Sequence, residues 1–283
     1  MNRESWLHLL APDWITHDLV AAAEACPRRL RKAPHDSRFP IPDSRLITIR
    51  DLKSLDDYAD CVTLQDETWG AGFSERVPTA ILRVSQLIGG VAAGAFDETG
   101  RLVGFVFGMT GLRNRELVHW SDMLAVREGL RGQGIGEQLK QYQRDKALAL
   151  GVKSMLWTFD PLQAGNAHFN INHLGALPIE YVKDMYGNTG STLHGTMPTD
   201  RFIVRWPLDP PAVPPGANTD ADIVRVEIPA DFAAVRQEGA DASMRWRLAI
   251  RATMTDLLAR GYRVVAFERP AGGSPCYLLR HGA

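Results

Sequence analysis

The sequence predicts an α/β (α+β) protein: an antiparallel sheet at its centre, helices against it, and a small C-terminal α+β extension. Three observations carry this. Strand-type and helix-type runs alternate from about residue 45 onward. Two apolar runs joined by a short polar turn, "GGVAAGAFDETGRLVGFVFGMTGL", read as a hairpin. A proline-dense stretch then separates a second, shorter series of elements from the first.

Residues 1–44 form an N-terminal extension. Within it "THDLVAAAEACP" suits a short helix, capped by Thr16 and stopped by Pro27. The basic "RRLRKAPHDSRFPIPDSR" reads as a solvated surface segment. A first domain over 45–208 opens with the alternating strand "RLITIRDL". Ser54 then caps a helix whose apolar residues Leu55, Tyr58, Cys61, Val62 and Leu64 fall at helical spacing. "VPTAILRVSQLIGG" is a second helix closed by Gly89, followed by the hairpin and by "ELVHWSDMLAV", a third run of the same sheet. After a glycine-rich hinge, "GIGEQLKQYQRDKALALG" is a helix with Ile135, Leu139, Tyr142 and Ala147 along one face. Lys140, Arg144 and Lys146 fall off that face, and Gly151 ends the helix. A buried-type strand "VKSMLWTFD", a short helix "AGNAHFNINHLG" and two closing strands, "ALPIEYVKDMYG" and "DRFIVRWPL", complete the domain.

The stretch 208–220, with Pro210, Pro211, Pro214 and Pro215, is a stiff connection, so 209–220 is taken as a linker. Residues 221–283 hold a strand "DIVRVEIP", one long or broken helix with Gly239 as its weak point, and a hairpin from "YRVVAFER" and "CYLLRHG". A unit of about 60 residues is marginal alone. It is therefore expected to pack on the first domain or on a second copy in a homodimer.

Composition excludes several classes. Hydrophobic residues make up 45%, charged residues 23%, and net charge is −1, so no basic excess exists to neutralise nucleic-acid phosphates. No run approaches the roughly 18 apolar residues of a membrane span. Cys26, Cys61 and Cys276 are far apart and lack metal-site spacing, which suits a cytoplasmic protein with neither disulfides nor zinc.

The hinge "REGLRGQGIGEQL", residues 127–139, is the most informative segment. A dinucleotide fingerprint needs G-x-G-x-x-G at the start of a parallel unit; here Gly132, Gly134 and Gly136 have the wrong spacing and follow a hairpin. A phosphate-binding P-loop needs Lys and Ser or Thr after its last glycine, where this chain has Glu137. The third reading is R-G-x-G-x-G at a strand-to-helix junction. Glycines there let successive backbone N–H groups face one ligand, the helix N-terminus adds partial positive charge, and Arg131 adds a full one. That assembly suits a pyrophosphate.

This motif, preceded by Leu124, Ala125 and Val126, resembles that of the GNAT superfamily of acyl-CoA-dependent N-acyltransferases, and the resemblance covers about residues 46–208. It implies a GNAT-type mixed, mostly antiparallel twisted sheet flanked by helices. It also implies acetyl-CoA or another acyl-CoA as co-substrate, no metal, and a small-molecule amine as acceptor. Arg131, Gly132, Gln133, Gly134, Ile135 and Gly136 would hold the CoA pyrophosphate. Leu124, Ala125 and Val126 would pair with the pantetheine arm, in a gap where this strand parts from "KSMLWTFD". Asn166 and Asn170 would face the pantetheine, although Asn166 reads equally well as a helix N-cap.

Amide formation needs a base for the amine proton. Asp122, in "DMLAV", stands where many family members carry an acid; Asp160, before Pro161, is a second candidate, and either also reads as a structural strand-end carboxylate. His119 and His168 are weaker candidates. Family members often place a tyrosine acid four residues before the glycine that ends the short helix; here that residue is Ile171, so Tyr181 or Tyr186 is the substitute, or the thiolate leaves unaided. Residues 187–202 suit one wall of the acceptor pocket, with Arg201 as a carboxylate clamp or as a partner of Asp200. Trp69, Trp120 and Trp157 read first as core; Trp120, beside the acid, is also carried as a substrate contact. Two rival functions are a CoA-binding sensor with a degenerate site and an enzyme acylating protein amines.

Overall fold

The structure, a computed structural model, describes residues 47–190, 197–209 and 223–282. The N-terminal helix, the basic cluster and most of the proline-rich linker lie outside the described residues. Seven strands form one sheet in the order β1-β2-β3-β4-β5-β7-β6. They are β1 (Thr48–Asp51), β2 (Val91–Phe96), β3 (Leu102–Arg113), β4 (Glu116–Val126), β5 (Ser154–Phe159), β6 (Leu177–Val182) and β7 (Arg201–Pro207). Every neighbouring pair is antiparallel except β4 and β5. The sheet is the mixed, mostly antiparallel one expected.

Among the described residues two helices precede the hairpin. Helix α1 (Leu55–Trp69) starts at Ser54, whose hydroxyl accepts from Asp57 N at 3.0 Å while Asp57 returns a bond to Ser54 N, a reciprocal capping box. Helix α2 (Thr79–Leu87) ends before Gly89, whose φ of 90° lies in the left-handed region. Helix α3 (Ile135–Ala149) follows the hinge. Helix α4 (Ala164–Ala167) runs straight into a π-helical turn over His168–His173. Here the sequence reading needs two corrections. Asn166 sits inside α4, not at its cap, a place taken by Gln163. Lys140, assigned to the polar face of α3, is only 3% exposed.

A second sheet, β8-β10-β9, is built from β8 (Ile223–Glu227), β9 (Tyr262–Glu268) and β10 (Cys276–His281). The helical stretch is broken at Gly239, its expected weak point, into α5 (Phe232–Glu238) and α6 (Ala240–Ala259). One continuous apolar cluster joins this unit to the main sheet: Met155, Trp157, Phe159, Phe202 and Val204 pack with Val226, Phe232, Ile250, Phe267 and Tyr277. Polar ties cross the same seam. The Tyr277 hydroxyl donates to Pro161 O at 2.7 Å, and Arg251 holds Asp200 at 2.6 and 2.8 Å. Among the described residues no helix is long and apolar enough to cross a membrane.

Candidate active site

The parallel pair β4 and β5 makes only two Cα pairings, His119 with Met155 and Trp120 with Leu156. Beyond them β5 continues against β7, and β4 continues against β3 up to Val126. The two central strands therefore part after Trp120, and among the described residues the β5-facing edge of residues 121–126 has no strand partner. A β-bulge sharpens the parting. Phe107 pairs with Met123 but Gly108 pairs with Ser121, so Asp122 is the extra residue on β4. Bulges re-aim a side chain and increase local twist.

The gap widens into a cavity of about 690 Å³. Ser121, Asp122 and Leu124–Val126 of β4 line one side, and Trp157, Thr158, Phe159 and Asp160 the other. Trp69 and Phe73 close one end. Phe232, Arg236 and Arg247 bring the C-terminal unit into the wall. Asp122 receives an N–H from Trp120 Nε1 at 3.3 Å. Its carboxylate opens onto the cavity, so solvent reaches it, yet the surrounding walls displace bulk water and raise its pKa above the usual carboxylate range, with the Glu75 charge adding to the rise.

Tyr186 faces the same space. Its hydroxyl lies 2.9 Å from Thr158 Oγ1, and burial pushes the phenol's pKa upward. The loop carrying it is pinned from below: Thr199 Oγ1 accepts from Tyr186 N at 2.9 Å, and the Asp184 carboxylate accepts from Thr199 N at 2.8 Å. Arg201, 5% exposed, lines the cavity with its guanidinium 5.5 Å from the Tyr186 ring centroid. It donates to the backbone carbonyl of Asp200 at 2.9 Å, while the Asp200 carboxylate is taken by Arg251.

The hinge lies below the same gap. Gly132 and Gly134 have φ of 76° and 78°, values that side-chain-bearing residues rarely adopt, and an added Cβ at either would meet nothing within 4 Å. Gly134 caps α3, so the first N–H groups of Ile135 and Gly136 emerge from the helix end. Arg131 lines the cavity and donates from Nε to Val126 O at 3.0 Å. Asn166 and Asn170 both line the opposite wall. Asn170 is buried and accepts an N–H from Trp157 Nε1 at 3.1 Å.

Three sequence expectations change on this geometry. Asp160 does line the cavity, but its carboxylate accepts both terminal N–H groups of Arg247, at 2.8 and 2.7 Å, and also Leu162 N. Trp120 is not a lining residue; Trp69 and Trp157, read first as core, are. Tyr181 is committed elsewhere: its hydroxyl donates to Asp200 at 2.7 Å. Ile171, at the position of the family's tyrosine, is fully buried in the core. His119 is structural. With Gln143 Nε2 donating to its Nε2 at 3.0 Å, Nδ1 carries the proton and meets Thr110 Oγ1 at 2.9 Å. Gly108 makes room for that ring, since a Cβ there would come within 2.4 Å of His119 Nε2.

Residues 58–170 match the family model "Acetyltransferase (GNAT) family". This segment is a GNAT acetyltransferase domain. The family transfers acyl groups from CoA, and the matched segment contains the parting strands, the bulge and the hinge. Among curated proteins none matches the chain. Solved structures with a similar fold include the NatC complex bound to Gag peptide and CoA, at 18% identity, TM-score 0.45, 57% of this chain and 98% of that one. The ribosomal-protein-S18-alanine N-acetyltransferase from Escherichia coli aligns at 16% identity, TM-score 0.46, 61% of this chain and 98% of that one. The yncA protein of Salmonella typhimurium, with its cofactor acetyl-CoA, aligns at 19% identity, TM-score 0.44, 60% of this chain and 98% of that one.

Lys140 is the residue that sequence reasoning missed. It lines the cavity of the GNAT domain from α3, and its Nζ donates to Ser121 Oγ at 2.7 Å and lies 3.9 Å from the Trp157 ring centroid. Burial lowers its pKa to about 7. Nothing in the helical pattern marks it, because it directly follows the buried Leu139 on a helix whose neighbouring lysine and arginine are ordinary surface residues. Arg247 was missed as well, for want of any sequence signal linking α6 to the end of β5. Among the described residues no group of three or more His, Cys, Asp or Glu is placed to hold a metal ion.

Proposed function

We propose that the protein transfers an acetyl or related acyl group from acyl-CoA directly to the amine of a small molecule bearing a carboxylate, amino acids included. The observation that carries this reading is the cavity at the parted strands, in which a bulge presents Asp122 with its pKa raised by burial. A carboxylate moved toward neutrality is a better-matched proton acceptor than a fully solvated one.

In this reading Arg131 and the backbone amides of residues 132–136 hold the pyrophosphate. The edge of Leu124, Ala125 and Val126 pairs with the pantetheine amides in place of a strand, and Asn166 and Asn170 line its other side. A backbone N–H of β4 polarises the thioester carbonyl. The acceptor attacks the carbonyl carbon as the neutral amine, the adduct nitrogen gives its excess proton to Asp122, and the carbon–sulfur bond breaks with its electron pair leaving on sulfur. No enzyme-bound acyl intermediate is needed.

Arg201 fits a carboxylate on the acceptor because it is buried at the cavity wall next to Tyr186, where water competes poorly. Asp160 acts by holding Arg247, not as a base. The C-terminal unit supports a small acceptor, since Phe232, Arg236 and Arg247 add a wall to the cavity.

The test is thiol release from acetyl-CoA and succinyl-CoA over a panel of amino acids, polyamines and short peptides with free N-termini. Turnover confined to carboxylate-bearing small amines is the expected result. Turnover on peptides alone would move the assignment to protein acylation. Tight CoA binding without release against any amine would make the protein a sensor.

A further inference from the structure

Lys140 presents a physical problem that the proposed reaction does not yet use. Its side chain is 3% exposed, and among the described residues no carboxylate forms an ion pair with it. Its neighbours are neutral. Ser121 of β4 takes one N–H, the ring of Trp157 on β5 lies beneath the ammonium, and His119 of β4 is itself kept neutral by burial and by the charge of Lys140. An ammonium has three N–H donors. A buried cation without an anionic partner is costly, and such groups persist where a ligand or a reaction supplies the missing charge.

The position says which charge that is. Ser121 is the first residue of β4 beyond its last pairing with β5, and Trp157 is the first of β5 beyond it. Lys140 therefore stands at the fork of the two strands. Trp157 in turn donates to Asn170, next to Ile171, where the family's tyrosine acid is absent. Resting on the acyl-CoA reading above, we propose that Lys140 is the proton donor to the departing CoA thiolate, with Ser121 and the Trp157 ring orienting its Nζ at the fork.

The step balances without a further reactant. As the tetrahedral adduct collapses, the carbon–sulfur bond breaks and its electron pair goes to sulfur. Lys140 passes one proton to that sulfur and is left as a neutral amine. The ammonium first sheds one proton to solvent to become a nucleophile; the proton taken by Asp122 from the nitrogen of the adduct also leaves to solvent, and Lys140 regains its own from solvent before the next turnover. Over the cycle one proton is released per ammonium acylated. The lowered affinity of Lys140 for its proton favours the transfer, because a thiolate is the stronger base.

The experiment reads thiol release from acetyl-CoA against pH, for the wild type and for Lys140→Met and Lys140→Gln, with the amine that supports turnover and with desulfo-CoA as a binding control. Methionine keeps the length of the side chain and removes the buried charge. The expected wild-type profile falls on its alkaline side, near pH 7, as Lys140 loses its proton. Both variants lose that limb and release thiol about 10²–10⁴-fold more slowly, while binding desulfo-CoA as the wild type does. Variants that release thiol at the wild-type rate, or that keep the alkaline limb, overturn the role of Lys140 and leave the acyl-CoA reading standing. A wild type that binds neither acetyl-CoA nor desulfo-CoA, or that releases thiol with no amine, overturns both.

Discussion

Asp160, the first residue after β5, accepts two hydrogen bonds from Arg247 of α6, at 2.8 and 2.7 Å. The arginine side chain is 2% exposed and the carboxylate 14%. One wall of the cavity is thus set by an ion pair between the GNAT domain and the C-terminal unit. Removing one partner strands a buried charge. Arg247→Met or Asp160→Asn is expected to cost about 3–5 kcal/mol, while the double variant loses less than the sum of the two. Denaturant unfolding of the four proteins checks this; additive losses would show that the pair is not coupled.

Asp122 carries a different expectation. Its pKa is raised, so the folded state holds that proton more readily than the unfolded chain does. A carboxyl with a raised folded-state pKa favours folding at low pH and disfavours it once ionised. Asp122→Asn is therefore expected to leave stability at neutral pH unchanged or higher, and to lower turnover by about 10²–10⁴-fold with acetyl-CoA affinity retained. In the wild type the acid limb of the rate profile should lie above the ordinary carboxylate range. Wild-type turnover in the variant would remove Asp122 from the chemistry.

Arg131 lies exposed at the hinge with its Nε on Val126 O. Reversing its charge places a carboxylate beside the proposed pyrophosphate site. Arg131→Glu should weaken acetyl-CoA binding by more than about 1 kcal/mol, some fivefold, with a loss that shrinks as salt is added. Calorimetric titration at two ionic strengths gives the answer, and equal affinities would place the pyrophosphate elsewhere.

The pKa of Lys140 is lowered to about 7 in the folded protein. The unfolded chain keeps the ordinary lysine value, so between these two pH values the unfolded state holds more protons and stability rises with pH. The full penalty of the buried ammonium is present below about pH 7 and is relieved progressively above it. Lys140→Met should raise the melting temperature most near pH 6, with the gain fading toward pH 10. A gain independent of pH would mean that the lysine is already neutral at the lower pH.

Most elements of this fold were legible in the sequence, and for a local reason. Apolar period, caps and breakers are properties of neighbouring residues: Ser54 and Asp57 announce α1, Gly239 breaks the last helix, and the turn after Phe96 closes the hairpin. The hinge was legible because only glycine takes the backbone of residues 132 and 134 without strain. Asp122 was a candidate from motif position and Tyr186, with Tyr181, from residue type; Asp122 and Tyr186 both line one cavity.

By itself, then, the sequence determined the types and order of the elements, the cationic glycine hinge and the resemblance of its central segment to the GNAT family. Only the tertiary structure decided that β7 inserts between β5 and β6, that β4 and β5 part at Ser121 and Trp157, and that Asp160 is bound to an arginine 87 positions away. It alone buried Lys140. Periodicity records which side of an element meets the core. The partner a strand takes, and the charges and solvent around a side chain, depend on contacts between residues distant in the chain.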